Sequence, residues 1–290
     1  MVPSFSIVIP SYARADLLAF CLNSVSQFAP SGTEILVVDD ASKGELITKT
    51  ALGFPGIRVV RLPKRSGFCV AANAGVQVAN GEIVELLNDD AEVTANWAEA
   101  ALRWFADPAI AAVSPLVLQQ GTAGMIDTAG DEYDRGGFAR KRGHGQQWSD
   151  GLYPAGPVWG VSGAAGFYRR SSFLEVGGFP ESFGAYFEDV DLAFRLQRAG
   201  HRAWFEPNSV VHHRVSASYG KRPSRRTLVQ QSCNEERVFW RNGSSRNVPR
   251  HLAVLAGKFL RRLEEGEAAP WVTGRVQATL IRGDGSLACR

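Results

Sequence analysis

The sequence contains few cysteines and no long apolar run. Its 290 residues include only four cysteines, which are Cys21, Cys69, Cys233 and Cys289, and no two of them have the C-x-x-C spacing. We therefore expect reduced thiols, with neither a zinc site nor a disulfide framework. No segment approaches the roughly 20 consecutive apolar residues that a membrane-spanning helix needs, so we expect no such helix.

The first residues also lack the features of a secretory signal. The stretch MVPSFSIVIPSY has no basic region followed by a long apolar one, which is atypical of a signal peptide. Together with the expected reduced thiols, this predicts a cytoplasmic protein. A peripheral position at the inner face of the plasma membrane is compatible with that prediction.

Charge is distributed unevenly along the chain. The formal net charge is +3, yet residues 214–262 contain twelve Lys or Arg and only two Glu, a local charge of +10, so the remainder carries −7. Such a segment is suited to phosphate, lipid head groups or nucleic acid. Basic and aromatic residues are not interleaved in it and no known motif accompanies it, so we expect no nucleic-acid partner. An anionic membrane surface and an acceptor pyrophosphate remain as alternatives to a merely solvated face.

Short apolar runs alternate with segments of helical periodicity along the first half of the chain. The runs IVIP, EILVVDD, GIRVVRLP, EIVELLNDD and AIAAVSPLVL read as strands. This alternation predicts an α/β fold with a mainly parallel sheet, whose ligands bind at the carboxyl ends of the strands. Residues 121–156 are rich in glycine and polar residues and predict an irregular excursion. We assign residues 1–220 to this domain and 221–290 to a basic helical C-terminal extension.

Adjacent acidic residues end two of the predicted strands. Asp39 and Asp40 follow one run, and Asn88, Asp89 and Asp90 follow another. Neighbouring carboxylates repel each other and resist burial, so their presence there requires a reason. Carboxylates can accept hydrogen bonds from a nucleotide base and ribose, and they are preferred ligands of hard divalent cations. The alternatives are turn-forming acids in the first case and a helix N-cap in the second.

Six segments in order carry a family resemblance. They are SIVIPSYARADLLAFCLNSV, ILVVDDAS, GFCVAANAGV, VELLNDDA, VSGAAGFYRRSSFLEVGGFPESFGAYFEDVDLAFRLQRAG and VVHH. Together they resemble the family 2 glycosyltransferases, which have the GT-A fold, and within them the bacterial rhamnosyltransferase-like branch. The resemblance covers roughly residues 4–240. It implies inverting, Mn2+- or Mg2+-dependent transfer of a sugar from a nucleoside-diphosphate sugar to a hydroxyl of a glycan or lipid-linked acceptor, in the synthesis of cell-surface polysaccharide.

The resemblance also implies roles for individual residues at the donor site. It places Asp39 at the base, with Pro10 and Tyr12 forming the nearby wall. Arg65 either reaches a phosphate or lies on the surface, and Asn73 supports the nucleotide pocket. The predicted nucleotide-sugar-binding residues are Pro10, Tyr12, Arg14, Asp39, Asp40, Arg65, Asn73 and Asp89.

The stretch from Asn88 to Asp90 is similar to the family's D-x-D motif, with a departure in its first position. Asn offers only a neutral oxygen, so Asp90 is the expected carboxylate ligand of the metal. Asp89 is expected to face the ribose. A family histidine near the end of VVHH ligates the metal, and we assign this role to His212; the alternative is a structural histidine.

The acids that open the FEDVDL segment are the candidates for catalysis. The family's general base is the Asp of the Glu-Asp pair, which is Asp189, although acids in a first helical turn also favour capping and the helix dipole. We expect the acceptor to contact Trp159, Gly163, Glu188 and Asp191.

Two other functions remain as alternatives. A sugar-phosphate nucleotidyltransferase would need a glycine-rich basic loop near the first strand, and PSYARAD is not one. A non-catalytic sugar- or nucleotide-binding module would not need both Asp90 and Asp189.

Overall fold

The alternation of strands and helices along the chain is present in a computed structural model, which describes residues 3–214 and 223–281. The strands are β1 (Phe5–Ser11), β2 (Glu34–Asp39), β3 (Ile57–Arg61), β4 (Ile83–Leu87), β5 (Ala91–Val93), β6 (Ile110–Gln119), β7 (Ile126–Thr128), β8 (Asp131–Tyr133), β9 (Ala139–Lys141), β10 (Gly156–Val158), β11 (Ala165–Arg169) and β12 (Arg202–His213). The α-helices are α1 (Ala15–Phe28), α2 (Leu46–Leu52), α3 (Phe68–Val78), α4 (Trp97–Leu102), α5 (Arg170–Glu175), α6 (Glu188–Arg198), α7 (Arg225–Asn242), α8 (Val248–Glu264) and α9 (Ala268–Leu280). Short 3-10 helices lie at Lys43–Glu45, Arg103–Ala106, Glu181–Phe183 and Ser245–Asn247.

The main sheet has the strand order β10-β12-β6-β11-β4-β1-β2-β3, with β5 beside β12 and β7 beside β6. Strands β3, β2, β1 and β4 are parallel, as expected from helical crossovers between them. Strand β11 lies antiparallel between β4 and β6, so the sheet as a whole is mixed. The predicted α/β class is confirmed, and the parallel pairing is concentrated in the first four strands and the β6–β12 pair.

Both faces of the central strands are buried, which explains their continuous apolar runs. Along β1, Ile7 and Ile9 pack with helices α1 and α4, whereas Val8 packs on the opposite face against α3. Helix α3 can lie this close because it is built from small residues. A Cβ atom added at Gly75 would stand 2.3 Å from Cγ1 of Val8.

The predicted excursion at residues 121–156 contains short strands that we did not expect. Strands β7, β8 and β9 have three residues each, and β8 and β9 form a separate hairpin. Three residues are too few to produce a recognisable alternation of polar and apolar positions.

The C-terminal helices pack against the α/β body. Helix α7 contacts α6 and is covered by α9, and its buried residues include Asn234 and Arg237. The predicted domain boundary at residues 220 and 221 lies outside the described residues. Within the parts of the chain that are described, no helix combines the length and the apolar character needed to cross a bilayer.

The cysteines differ in part from expectation. Cys21 and Cys69 are free and buried. Cys233 is disulfide-bonded, so the expectation of four free thiols is wrong at that position. Cys289 lies outside the described residues.

Candidate active site

A cleft of about 730 Å³ opens at the carboxyl ends of β1 and β4, where the sequence predicts a ligand site. Its floor includes Pro10, Asn88 and Asp90. The wall that leads into α6 includes Gly163 and Asp189. A further wall consists of residues of the β8–β9 hairpin and of helices α7 to α9, which are Asp131, Arg140, Lys141, Leu228, Gln231, Ser232, Glu235, Lys258, Arg262 and Trp271.

Three charged side chains meet at the floor of this cleft. Asp89 is fully buried, accepts a hydrogen bond of 2.6 Å from the Ser11 hydroxyl and pairs with Arg14. Nη1 of Arg14 also lies 2.9 Å from Asp90. Burial raises the pKa of Asp89 to about 6, against the opposing effects of Arg14 and Ser11. Arg14 therefore supplies the positive charge that these two carboxylates require.

The second histidine of VVHH, rather than the first, faces the acids. Neighbouring residues of a strand point to opposite faces, and in β12 it is His213 that lines the cleft. Its Nε2 atom is 3.2 Å from Oδ1 of Asp90, and its Nδ1 atom is 3.0 Å from Asp127. Asp127 is fully buried and is held in turn by Lys141 at 2.9 Å. The geometry thus favours His213 over the predicted His212 as the partner of Asp90.

Asp90 and His213 are partly suited to binding a divalent cation. Oδ1 of Asp90 is buried and faces Nε2 of His213, and a carboxylate oxygen and an imidazole nitrogen are both suitable ligands. Among the described residues no group of three or more His, Cys, Asp or Glu is arranged to hold a metal, so the protein supplies an incomplete ligand set. Asp127 and Asp90, working against burial, raise the pKa of His213 to about 9. A cation that binds Nε2 must therefore displace a proton.

Asp39 and Asp40 lie at the end of β2, and their side chains accept hydrogen bonds from neighbouring segments. Asp39 is fully buried and accepts hydrogen bonds from Ser42, Thr48 and Arg61, the last at 2.5 Å. Burial opposes these bonds, yet together they lower the pKa of Asp39. Asp40 accepts from the backbone N–H groups of residues 66 and 67, at 2.6 and 2.9 Å. Neither side chain lines the large cleft, and the role of Asp39 at a base stays a prediction.

Other predicted donor residues are held in defined positions. The guanidinium of Arg65 lies 4.0 Å from the ring centre of Tyr12, a cation–π contact beside the strand end. Asn73 donates to the Phe179 carbonyl and accepts from the Phe179 N–H, both at 2.8 Å. The Asn73 amide thereby joins α3 to the loop before α6, which agrees with a supporting role.

The predicted catalytic carboxylate belongs to a buried acidic group. Oδ2 of Asp189 accepts a 2.7 Å hydrogen bond from the Gly163 N–H. Burial raises the pKa of Asp189, although the N–H groups of Gly163 and Val190 partly offset it. Burial, together with the charge of Asp189, raises the pKa values of Glu188 and Asp131 well above the usual range. No described residue hydrogen-bonds to the buried Oε2 atom of Glu188, so this oxygen is unused next to the cleft.

Two predicted acceptor residues point elsewhere. Asp191 is fully buried between α6 and α7, where it pairs with Arg195 at 2.8 Å and with Arg241 at 3.3 Å. Trp159 packs between the rings of Tyr133 and Phe194, with centroid distances of 5.1 and 4.9 Å. Neither lines the large cleft. Both contribute to packing around the site. Their positions depend on contacts with helices and with the hairpin, and a single sequence does not reveal such contacts.

The turn before α6 has an unusual backbone conformation, and hydrogen bonds from α7 stabilise it. Tyr186 and Phe187 have positive φ angles of 72° and 65°, a conformation that is costly for bulky residues and often found at functional sites. Both residues line the cleft. Asn234 donates to the carbonyls of Ala185 and Tyr186 at 2.9 and 3.0 Å. Asn234, like His213, Asp127 and Asp131, was not identified from the sequence, since its polar partners come from distant segments.

Related sequences are found among known proteins. The sequence profile described as glycosyl transferase family 2 matches residues 6–177. A pre-mycofactocin glycosyltransferase from Mycobacterium tuberculosis is 30% identical over 213 residues, 72% of this chain and 42% of that protein. An N-acetylglucosaminyl-diphospho-decaprenol L-rhamnosyltransferase from the same species is 27% identical over 77% of this chain and 80% of its own length. This chain thus spans less than half of the first of these relatives.

Solved structures share the fold. GalNAc-T7, solved with UDP, GalNAc and Mn2+, matches with a TM-score of 0.63 and 21% identity over 82% of this chain and 48% of its own. A mannosyltransferase from Pyrobaculum calidifontis, solved with GDP-Man and Mn2+, matches with a TM-score of 0.63 and 19% identity over 97% of this chain and 88% of its own. The predicted GT-A fold is confirmed.

Proposed function

The chain belongs to glycosyl transferase family 2, and from this premise we propose that it is an inverting glycosyltransferase that depends on a divalent cation. It transfers a sugar from a nucleoside-diphosphate sugar to a hydroxyl of a glycan or lipid-linked acceptor in cell-envelope polysaccharide synthesis. One observation carries the proposal: Asp90 and Asp189, from distant segments of the chain, line the same cleft. The expected enzyme class, a glycosyltransferase, agrees with family membership.

Donor binding is assigned to the floor of the cleft. Asp90 and His213 would hold Mn2+ or Mg2+, which neutralises the charge that develops on the departing diphosphate. Arg14 lies beside both Asp89 and Asp90 and orients them before the donor arrives. The fold neighbours solved with a nucleotide or nucleotide sugar and Mn2+ support this assignment.

Proton transfer is assigned to Asp189. A general base acts best when its pKa lies near the working pH, and burial raises the pKa of Asp189 in that direction. The Gly163 N–H fixes one oxygen at 2.7 Å. The Val190 N–H donates to the other oxygen at 2.8 Å. Each oxygen has a second lone pair, and with one of these Asp189 accepts the proton of the acceptor hydroxyl while the hydroxyl oxygen attacks the anomeric carbon and the nucleoside diphosphate leaves. A single displacement inverts the configuration at that carbon.

The acceptor is assigned to the wall formed by the β8–β9 hairpin and the C-terminal helices. Arg140, Lys141, Lys258 and Arg262 give this wall a basic character, which suits an acceptor that carries a diphosphate. The relative named as acting on a diphospho-decaprenol acceptor supports a lipid-linked substrate.

A donor panel tests the function. The chain is incubated with UDP-, dTDP- and GDP-sugars, with Mn2+ or with a chelator, and release of nucleoside diphosphate is followed with and without a polyprenyl-diphosphate-linked sugar. We expect one donor to be consumed in a manner that requires the cation and is accelerated by acceptor. Cation-independent nucleotide binding with no turnover of any donor would instead indicate a binding module.

A further inference from the structure

Helix α8 presents an apolar face to solvent. At 3.6 residues per turn, Pro249, Leu252, Ala256, Leu260 and Leu263 lie on one side of the helix. All five are exposed, and the three leucines are 52–62% exposed. The opposite side, with the fully buried His251, packs onto the protein. An amphipathic helix normally buries its apolar side, so this arrangement indicates an interaction surface.

Helix α9 extends the apolar surface. Val272, Val276 and Leu280 recur every four residues and are 38, 52 and 78% exposed. The only charged residue of this helix, Arg275, is buried. The two helices adjoin each other where the rings of Phe259 and Trp271 are 6.4 Å apart. We call the exposed apolar residues of both helices the α8–α9 surface.

Arginines border this surface. Arg246 and Arg250 are exposed at the start of α8, and neither forms an ion pair with a described residue. Arg261, on the same border, is 79% exposed and pairs only with Glu265 at the far end of the helix. Glu264, which is also exposed, lies on the same side at the other end of the helix. Exposed leucines that adjoin exposed arginines at the start of one helix suit an anionic lipid interface.

The position of the active-site cleft agrees with a lipid partner. Lys258 and Arg262 of α8 and Trp271 of α9 line the cleft, so the same two helices contact both the cleft and the exposed apolar surface. A polyprenyl chain can remain in the lipid while its diphosphate reaches the basic wall.

We propose that the α8–α9 surface binds the protein to anionic phospholipid bilayers, with the leucines of α8 inserted among the acyl chains and Arg246 and Arg250 on the head groups. This proposal deepens the proposed function. It rests on that function only in taking the acceptor to be lipid-linked.

Vesicle flotation of the full chain tests the proposal. Vesicles of phosphatidylcholine alone are compared with vesicles that also contain phosphatidylglycerol. We expect binding to the anionic vesicles, weakened by salt, and about tenfold or more weaker binding by the Leu252→Ser/Leu260→Ser/Leu263→Ser variant. Arg246→Gln/Arg250→Gln should remove most of the preference for anionic lipid.

The matched control is Leu46→Ser/Leu52→Ser on α2, whose leucines are 45 and 65% exposed. It should bind vesicles as the native chain does. Melting temperature and cation-dependent nucleotide binding should be unchanged in every variant, which separates loss of the surface from loss of the fold. Native binding by the triple leucine variant would overturn the proposal.

Two further results would also overturn it. One is that the native chain does not float with either vesicle. The other is that the native chain is a dimer by light scattering that the triple leucine variant dissociates, since the surface would then join two copies. Sugar transfer to a water-soluble acceptor without vesicle binding would reject this inference alone and leave the proposed function intact.

Discussion

The Nε2 atom of His213 lies 3.2 Å from Oδ1 of Asp90. The two residues stand at the ends of different strands, and His213 is oriented from its other ring nitrogen by the buried carboxylate of Asp127 at 3.0 Å. A carboxylate that fixes the orientation of a histidine is a common second layer around metal ligands. His212, one position earlier, projects to the other face of the strand.

The first prediction separates these two histidines. His213→Ala should weaken Mn2+-dependent binding of nucleoside diphosphate by about 10–100-fold, because one of the two proposed protein ligands is removed. His212→Ala, the matched control, should bind as the native chain does. Isothermal titration with and without a chelator measures both. Equal effects of the two substitutions would contradict the assignment of His213.

The second prediction concerns the buried Glu85 in β4. Burial raises its pKa to about 8, although both carboxylate oxygens accept from the Trp97 indole. Between the unfolded value of 4.5 and about 8, the folded chain holds a proton that the unfolded chain releases. Stability from this group is therefore complete below the unfolded pKa and is lost as the pH rises to the folded pKa.

Glu85→Gln should remove that pH dependence. The free energy of unfolding of the variant relative to the native chain should increase with pH across this window, by about 1.4 kcal/mol per unit at most. Urea unfolding at several pH values between about 5 and 9 measures the difference. A difference that does not change with pH would show that Glu85 is ionised in the folded protein.

The third prediction concerns the approach of α3 to the sheet. A Cβ atom at Gly75 would lie 2.3 Å from Val8 and 2.9 Å from Val38. Gly75→Ala should therefore lower the free energy of unfolding by about 1–3 kcal/mol through overpacking. Gly257→Ala in α8, which meets no atom within 4 Å, should instead raise it by about 0.5–1 kcal/mol. Chemical denaturation of both variants measures the two changes in the free energy of unfolding. Stabilisation by Gly75→Ala would contradict the close packing of α3 on the sheet.

Much of the fold and part of the site could be predicted from the sequence. Apolar runs that end in acids indicated where parallel strands finish, and Asp90 and Asp189 do line one cleft. The prediction of Asp90 depends on local pattern and on the rule for strand ends, whereas that of Asp189 depends on the family resemblance. They did not need knowledge of which segments pack together.

The remaining site residues depend on pairing between distant segments. The choice between His212 and His213 depends on which face of β12 meets β5 and β6, and a sequence with two adjacent histidines does not reveal it. Asp131 and Lys141 belong to strands of three residues, which are too short for periodicity to identify. Asp191 was assigned to the acceptor because the salt bridge from Arg241 of α7 could not be foreseen.

The most direct test of the proposed mechanism is the transfer rate of Asp189→Asn. Asn can still accept the hydrogen bond that the Gly163 N–H donates to Asp189 at 2.7 Å, but it cannot take a proton. The variant should fold, bind nucleoside diphosphate with Mn2+ as the native chain does, and transfer sugar about 10²–10⁴-fold more slowly at saturating substrates. Asp191→Asn, which weakens the pairs with Arg195 and Arg241, should instead lower stability and retain transfer by the folded fraction. A near-native rate in Asp189→Asn would contradict the account.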